Sequence, residues 1–386
     1  MRIAHITDCF APRTGGIETQ VQGLASRQAA AGHDVRIITA TPGHGQRRSG
    51  IDEVQGLPVV RIAARVPFDL PVHPTVRSSV LRVLRQERID VAHVHTGVAS
   101  PFAWGGLRAC RQANCAAVVT VHSMWDRLSR GGVRVLDRTA WGLSSGVVLT
   151  AVGASAAMRV QSALGVPVRV LPNGIDTREW QVEHLSPAEA PDAAPDAALR
   201  VVSVLRLAPR KRAMALMHVI AQAHEATGGR IAATIIGDGP ESGRLERFID
   251  RRGLRAAVTL TGRLSHPRIR AHFARSDAFV QASVRESFGI AALEARAAGL
   301  PIIARDQSGT AEFVRDKVEG LLAADDRGLV AALVELQADR QLRREIREHN
   351  TAIAPKQDWS NVLVDVEDAY RSALARRSTS DQRALG

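Results

Sequence analysis

The chain has 386 residues, 45% of them hydrophobic and 23% charged. That length and apolar content suit two ordinary domains with separate cores and exclude a small disulfide-stapled scaffold, a disordered chain or an integral membrane protein. Its 51 basic residues outweigh 39 acidic ones, a net charge of +12, which by itself points to an acidic partner such as nucleic acid, an anionic membrane or a phosphorylated substrate. Only Lys211, Lys317 and Lys356 are lysines, so the basic character is in part an arginine bias. Residues 1–180 hold 21 arginines against 12 acids, a net +9, and residues 181–386 hold 30 basic residues against 27 acids, a net +3. Cys9, Cys110 and Cys115 are an odd number without a C-x-x-C, which fits a reducing, cytoplasmic compartment.

In chain order, short strand-like runs alternate with helical periodicity. Met1-Arg2 leads directly into an apolar run and reads as the strand Arg2–Thr7, not a signal peptide. The spacing predicts further strands at Asp34–Thr39, Val59–Ile62, Asp90–His95, Ala116–Val121, Val147–Val152 and Val168–Leu171. Helices are expected between them at Glu18–Ala31, Pro74–Arg88 and Pro101–Ala113. Thr139–Met158 runs without a charge, but Gly142, Gly146, Gly153 and interspersed hydroxyl residues make it a helix end, a turn and a buried strand, not a membrane span. Gln181–Leu199, rich in Ala, Pro and acids, reads as a linker or exposed loop. Strands resume at Arg200–Leu205, Ala232–Ile236, Val258–Thr261, Ala278–Gln281 and Pro301–Ala304, and Asp358–Ala375 is a helix ahead of a polar tail.

Near-continuous apolar strands suit parallel sheets covered on both faces. The expected architecture is therefore α/β, with two Rossmann-like βα domains over 1–180 and 200–357, a linker at 181–199 and a helix and tail over 358–386 that cross back to the first domain. Ligands are expected at the carboxyl ends of the strands.

Three segments carry candidate chemistry. Gly15-Gly16-Ile17-Glu18 follows a strand and opens a helix, so its amides can meet an anion at a helix N-terminus; the plainer reading is a turn using glycine for positive φ. Arg206-Leu207-Ala208-Pro209-Arg210-Lys211 follows a strand, and an arginine fork converging with a lysine ammonium neutralises a diphosphate; a solvated basic loop is the alternative. The run from Arg285 to Glu294 places Glu286 before a glycine turn and Glu294 about two helical turns later. The amides of Gly289, Ile290 and Ala291 open the helix between them, suited to phosphate, while carboxylates accept from sugar hydroxyls. The alanines and Leu293 around Glu294 argue against a solvated surface charge.

Rival chemistries use other residues. His93 and His95 on one strand with His122 on the next form a possible three-histidine zinc site, although polar residues at strand ends facing a cleft explain them more simply. Gly153-Ala154-Ser155 resembles a nucleophile elbow but lacks the second glycine. Aromatic residues make up 4%, with a single tyrosine, Tyr370, so no stacking platform for specific nucleic-acid reading is expected. Pro74–Arg88 and Met124–Trp141 mix arginines with apolar residues in a way that suits an anionic bilayer surface.

Together these segments resemble the retaining glycosyltransferases of family 4, of GT-B fold, which share a Glu-x7-Glu element in the C-terminal domain. The resemblance spans nearly the whole chain. It rests on G-G-I-E at 15–18, H-V-H-T at 93–96, T-V-H-S at 120–123, L-P-N-G-I-D at 171–176, R-L-A-P-R-K at 206–211, G-D-G-P at 237–240 and E-S-F-G-I-A-A-L-E at 286–294. Leu205 and Arg212 depart from glycines usual in the family, and S-G-T-A-E at 308–312 departs from G-G-x-x-E.

The resemblance implies two Rossmann-like domains facing across a cleft and retaining hexosyl transfer from a UDP- or GDP-sugar, with no cofactor beyond that co-substrate. Arg206 and Lys211 would grip the donor diphosphate, helped by Gly15, Gly16 and the amides at Ile290 and Ala291. Glu294 would hold the ribose and Glu286 the donor sugar, with Phe288 and Gly289 in the same loop. Gly262 and Arg263 would touch the base, and His122 would face the sugar from across the cleft. The chain contains no D-x-D, so no metal is expected and cations and amides would stabilise the leaving diphosphate. His122, Glu286, Arg206 and Lys211 are thus the expected catalytic group. The acceptor is unnamed, with a membrane-associated glycolipid or cell-envelope glycan precursor as the candidate class. The +9 of the first half belongs to the acceptor side, which replaces nucleic acid by an anionic membrane surface as expected partner. A sugar-nucleotide epimerase of the same fold and a three-histidine zinc hydrolase are the alternatives.

Overall fold

The computed structural model describes residues 1–13, 15–43, 49–64, 71–97, 99–125, 131–132, 137, 146–183 and 197–385. The chain divides into two compact units: Met1–Gly174 together with Trp359–Gly386, and Ile175–Asp358.

The first unit is built on eight strands: β1 (Arg2–Thr7), β2 (Asp34–Thr39), β3 (Gly50–Val54), β4 (Leu57–Arg61), β5 (Val91–Thr96), β6 (Ala116–Val121), β7 (Val148–Ala151) and β8 (Arg169–Val170). Their order is β3-β4-β2-β1-β5-β6-β7-β8, parallel throughout except for the β3–β4 hairpin. Strands β1, β2 and β6 occupy the ranges expected from the apolar runs. The added strand β3 leaves three of its five residues exposed, so no buried pattern marks it in the sequence. The winding reverses between β1 and β5, which makes a topological switch point at their carboxyl ends.

Helices α1 (Gly16–Ala30), α2 (Val76–Gln86), α3 (Pro101–Gln112) and α4 (Ala154–Leu164) cover this sheet. Residues of α2, α3 and α4 share one core with Ala4, Ile6, Ala92 and Val94. The C-terminal helix (Trp359–Leu385) covers the opposite face, where Trp359, Val362, Val366 and Tyr370 pack with Ile3, Val91, Val118 and Val148. Asp8, just past β1, caps α3 by accepting from the amides of Phe102 and Ala103 at 3.0 and 3.3 Å; burial raises its pKa to about 6. Gly153 takes the cap position of α4, and Ser155 lies inside its first turn.

Helix α2 departs from the bilayer expectation in one respect. Val80 and Leu84 are buried in the core, and Val76 packs so closely on α3 that a Cβ at Gly105 would meet its methyl at 2.3 Å. Packing uses the apolar stripe, while Arg77, Arg82 and Arg85 remain exposed as a basic outer face. Most of Met124–Trp141, most of the linker at 181–199 and the start of Thr139–Met158 lie outside the described residues.

The second unit has strands β9 (Leu199–Val204), β10 (Ile231–Ile236), β11 (Val258–Gly262), β12 (Ala278–Val280), β13 (Ile302–Arg305) and β14 (Gly320–Ala323), all parallel in the order β11-β10-β9-β12-β13-β14. Its helices are α5 (Thr177–Trp180), α6 (Ala213–Ala226), α7 (Ser242–Arg251), α8 (His266–Ala274), α9 (Ile290–Ala297), α10 (Asp326–Ala338) and α11 (Arg340–Ala352). Leu216, Ile220, Leu245 and Leu333 from these helices share a core with Val201, Ile235, Val280 and Ile303 from the strands. A second switch point lies between β9 and β12. Among the described residues no helix is long and apolar enough to cross a membrane.

Candidate functional site

In the second unit, the segments leaving β9 and β12 carry the charged candidates to either side of the switch point. Lys211 ends a 3-10 turn over Pro209–Lys211, and its ammonium lies 2.5 Å from the Glu286 carboxylate. The Oγ of Ser283 donates to the Lys211 carbonyl at 2.9 Å and ties the two loops together. Two residues 75 positions apart are thus joined at one rim, and Arg206 stands exposed on the same loop as Lys211.

The G-D-G-P run explains how Arg206 is held. The amides of Leu205 and Leu207 donate to the carbonyls of Ile236 and Asp238, each at 3.0 Å. A Cβ at Gly237 would stand 1.9 Å from the Leu205 carbonyl oxygen, and one at Gly239 would stand 2.3 Å from that of Leu207. Only a residue without a side chain permits this approach, so both neighbours of Arg206 rest against glycine. The Gly237 amide donates to the Gly262 carbonyl at 2.8 Å, which brings Gly262 to the same rim beside the exposed Arg263.

The Glu-x7-Glu loop is equally tight. Gly289 caps α9 at φ 96°, and a Cβ there would meet Thr310 Oγ1 at 2.5 Å. The Gly309 amide donates to the Glu286 carbonyl at 2.8 Å, so the S-G-T-A-E loop supports Glu286 from below. Phe288 is buried against Phe313, with ring centroids 5.5 Å apart. Ile290 and Ala291 open α9 and remain partly accessible. Replacing Gly289 by alanine adds left-handed strain to that clash and is expected to cost about 2 kcal/mol or more, read as a lower denaturation midpoint together with weaker nucleotide binding.

Glu294, one helical turn into α9, is only 8% exposed. Burial, with a smaller push from Glu179, raises its pKa to about 8. Arg212 explains one departure from the family pattern: it holds φ 58° at the start of α6, a conformation that favours glycine. Its guanidinium is anchored 2.6 Å from Asp326, which also accepts from Arg305 at 2.7 Å. Relief of strain outweighs a half-exposed ion pair, so Arg212→Gly is expected to leave the denaturation midpoint unchanged or raise stability by up to about 1 kcal/mol.

In the first unit, Gly15 precedes α1 with an extended backbone, φ −175°, so positive φ is not why glycine stands there. A Cβ would instead lie 2.5 Å from Glu18 Oε2. The Glu18 carboxylate folds back over the start of the helix, and its burial raises its pKa. Gly16 is the first residue of α1.

His122 follows β6, partly buried, with its pKa lowered to about 4 by burial, which outweighs the raising effect of a hydrogen bond with the Asn173 side chain. His93 and His95 are 1% and 3% exposed, which corrects the expectation of strand-end groups facing a cleft. Period-two alternation places Val91, His93 and His95 on the face of β5 covered by the C-terminal helix. Ile3 and His5 share that face on β1, with Cα partners His5 and His93. The three-histidine group also differs from the one expected: ligand atoms of His5, His93 and His95 lie within 4.8 Å of one another. The His5–His95 geometry is that of a hydrogen bond. Their centroids are 5.3 Å apart and the facing nitrogens 3.0 Å apart, so the contact is straight and leaves no place for an ion between them.

Sequence reasoning missed His5, Gln28, Asn173 and Tyr370. The signal was available for His5: a histidine inside an otherwise apolar strand beside another strand carrying two. The L-P-N-G-I-D run is now explained as well. Asn173 meets His122, a Cβ at Gly174 would strike Trp359 at 2.4 Å, and Asp176 caps α5 by accepting from the Glu179 amide at 3.2 Å.

Comparison with known proteins covers both units. The family described as Glycosyltransferase Family 4 matches residues 14–179, and that described as Glycosyl transferases group 1 matches residues 189–352. The chain is 28% identical over 401 residues to a GDP-mannose-dependent alpha-mannosyltransferase of Mycolicibacterium smegmatis, covering 98% of this chain and 99% of that protein. It is 25% identical over 381 residues to a phosphatidylinositol N-acetylglucosaminyltransferase subunit of Arabidopsis thaliana, covering 97% of this chain and 82% of that protein. Among solved structures, HepE of Anabaena in complex with UDP superposes with a TM-score of 0.76 at 20% identity, covering 96% of this chain and all of that one.

Proposed function

The chain belongs to glycosyltransferase family 4, with the GT-B fold, and from that premise we propose that it moves a hexosyl unit with retention from a UDP- or GDP-sugar to an acceptor bound by the first unit. The observation that carries this reading is the Lys211–Glu286 pair at the switch point between β9 and β12. It sets a cation for the diphosphate beside a carboxylate for sugar hydroxyls.

In this reading Arg206 and Lys211 neutralise the charge that builds on the leaving diphosphate as the anomeric bond breaks, and the amides of Ile290 and Ala291 add preorganised donors. The chemistry draws on these groups without a metal. Glu286 orients the donor sugar and Glu294 the ribose, with Gly262 and Arg263 beside the base and Phe288 and Gly289 shaping the loop. His122, Gly15 and Gly16 contribute from the first unit. A GDP-linked mannose is the first donor to try, because the M. smegmatis relative depends on it. The acceptor class is a glycolipid or glycan precursor at an anionic membrane surface, supported by the exposed arginines of α2, with the protein on the cytoplasmic side.

A thermal-shift panel of UDP, GDP, ADP and their sugars tests the donor, and one of the first two series is expected to stabilise the protein in proportion to its binding. NMR of the product should show the donor's anomeric configuration kept. Epimer formed from the donor without any acceptor would replace transfer by epimerisation. Co-sedimentation with anionic vesicles at low salt, and its loss at high salt, tests the surface.

A further inference from the structure

Three imidazoles run in line through the first unit, starting from a glutamine and ending on His122. Gln28, on α1, donates from Nε2 to Tyr370 Oη at 3.0 Å, and its Oε1 lies 2.7 Å from His5 Nε2. His5 Nδ1 lies 3.0 Å from His95 Nε2, and His95 Nδ1 lies 3.1 Å from His122 Nε2. Ring centroids are 5.3 Å apart at both imidazole steps. Gln28, His5 and His95 are buried, so bulk water cannot replace any link.

Burial keeps all three rings neutral near pH 7. A neutral imidazole has one N–H and one lone pair, so in such a chain the proton at one end dictates every other. The Gln28 oxygen only accepts. His5 therefore donates from Nε2, His95 donates from Nε2 to His5, and His122 donates from Nε2 to His95.

A second branch fixes which end of the Gln28 amide faces His5. The Gln28 amide nitrogen donates to Tyr370, Tyr370 donates to His93 Nδ1 at 3.0 Å, and His93 Nε2 donates to Thr120 Oγ1 at 2.6 Å. Thr120 donates to Thr150 Oγ1 at 2.6 Å, and Thr150 donates to the Val119 carbonyl at 3.2 Å. A carbonyl oxygen cannot donate, so this branch runs one way. Turning the Gln28 amide over would reverse it and forfeit the last bond.

We propose that Gln28 and His5 are positioning residues that hold His122 as its Nε2–H tautomer, so that Nδ1 is the nitrogen accepting a hydrogen bond from a substrate hydroxyl. The role toward substrate rests on the proposed part of His122 in glycosyl transfer; the tautomer itself does not.

The test is long-range proton–nitrogen correlation NMR of the full-length, 15N-histidine-labelled protein at pH 7, with His122 assigned through His122→Gln. Wild type is expected to show His5, His93, His95 and His122 as Nε2–H tautomers. Gln28→Glu places an acceptor before both neighbours, so Tyr370 donates to the new carboxylate and His93 changes to Nδ1–H while His122 stays Nε2–H. Gln28→Met removes the terminal acceptor, so the two nitrogens of His122 drift toward averaged shifts and kcat falls about 3- to 10-fold with donor KM unchanged. An Nδ1–H His122 in wild type, or a His93 unmoved in Gln28→Glu, overturns the proposal; the second reading suffices if Gln28→Met fails to fold. Averaged His122 shifts with unchanged kcat leave the relay standing and overturn only the assignment of His122 to the sugar.

Discussion

Replacing Lys211 by alanine is expected to lower kcat/KM for the donor by about 10²- to 10³-fold, the usual loss when one preorganised charge-stabilising group is removed from a leaving-group site. Lys211 is one of three lysines in a chain of 51 basic residues, and the charge it supplies is local. Its ammonium is paired with Glu286 in the ligand-free protein, so part of the effect is indirect: alanine at 211 leaves the Glu286 side chain, 14% exposed, without its counter-charge. Glu286→Gln separates the two contributions. It keeps the cation for the diphosphate, and should therefore preserve nucleotide diphosphate affinity while lowering transfer. Titration calorimetry with the nucleotide and initial-rate kinetics with the nucleotide sugar read these effects separately. Lys211→Arg is not expected to restore full activity, because a planar fork does not reproduce the point charge.

Glu294→Gln should produce two opposite effects. In the folded protein the carboxyl titrates at about 8, raised from 4.5 by burial, whereas in the unfolded chain it ionises at its ordinary value. Between those pH values the folded state holds a proton that the unfolded state has released, so wild-type stability falls as pH rises through that window. Glutamine does not titrate. The variant is expected to match wild type near pH 4.5 and to exceed it by about 2–5 kcal/mol above pH 8, an order-of-magnitude conversion of the shift. Melting temperatures across pH 4.5–8.5 check this. At pH 8.5, where the wild-type carboxyl is largely ionised, nucleotide affinity should move the other way, falling about 10-fold because one of two acceptor oxygens becomes a donor. A variant more stable when empty and weaker for nucleotide identifies a group kept for binding.

The second unit's candidate site was legible because its charged residues sit on glycine-marked turns after apolar strands, and such turns leave a local trace. Glu286, Glu294, Arg206 and Lys211 all lie on segments whose neighbours announce them. The first unit's polar interior was not legible. His5, Gln28, His93 and Tyr370 come from a strand, a helix, another strand and the C-terminal helix, and Gln28 and Tyr370 are 342 residues apart. No local pattern links them, because burial under the C-terminal helix creates their association. For the same reason α2 reads as a bilayer helix in the sequence: its stripe is amphipathic whether it faces lipid or the side chains of α3. The strand β3 was missed because an exposed hairpin edge needs no apolar alternation.

The placement of Trp359 and Tyr370 against β1, β5 and β6 has a consequence for biosynthesis. The sheet that forms from the first 174 residues emerges from the ribosome with Ile3, Val91 and Val118 uncovered and His93 without its Tyr370 partner. All of Ile175–Asp358 is then translated before the covering segment exists. The nascent first half must therefore persist as an incomplete intermediate, a natural client for a chaperone, and a stop codon anywhere before Trp359 would strand it there.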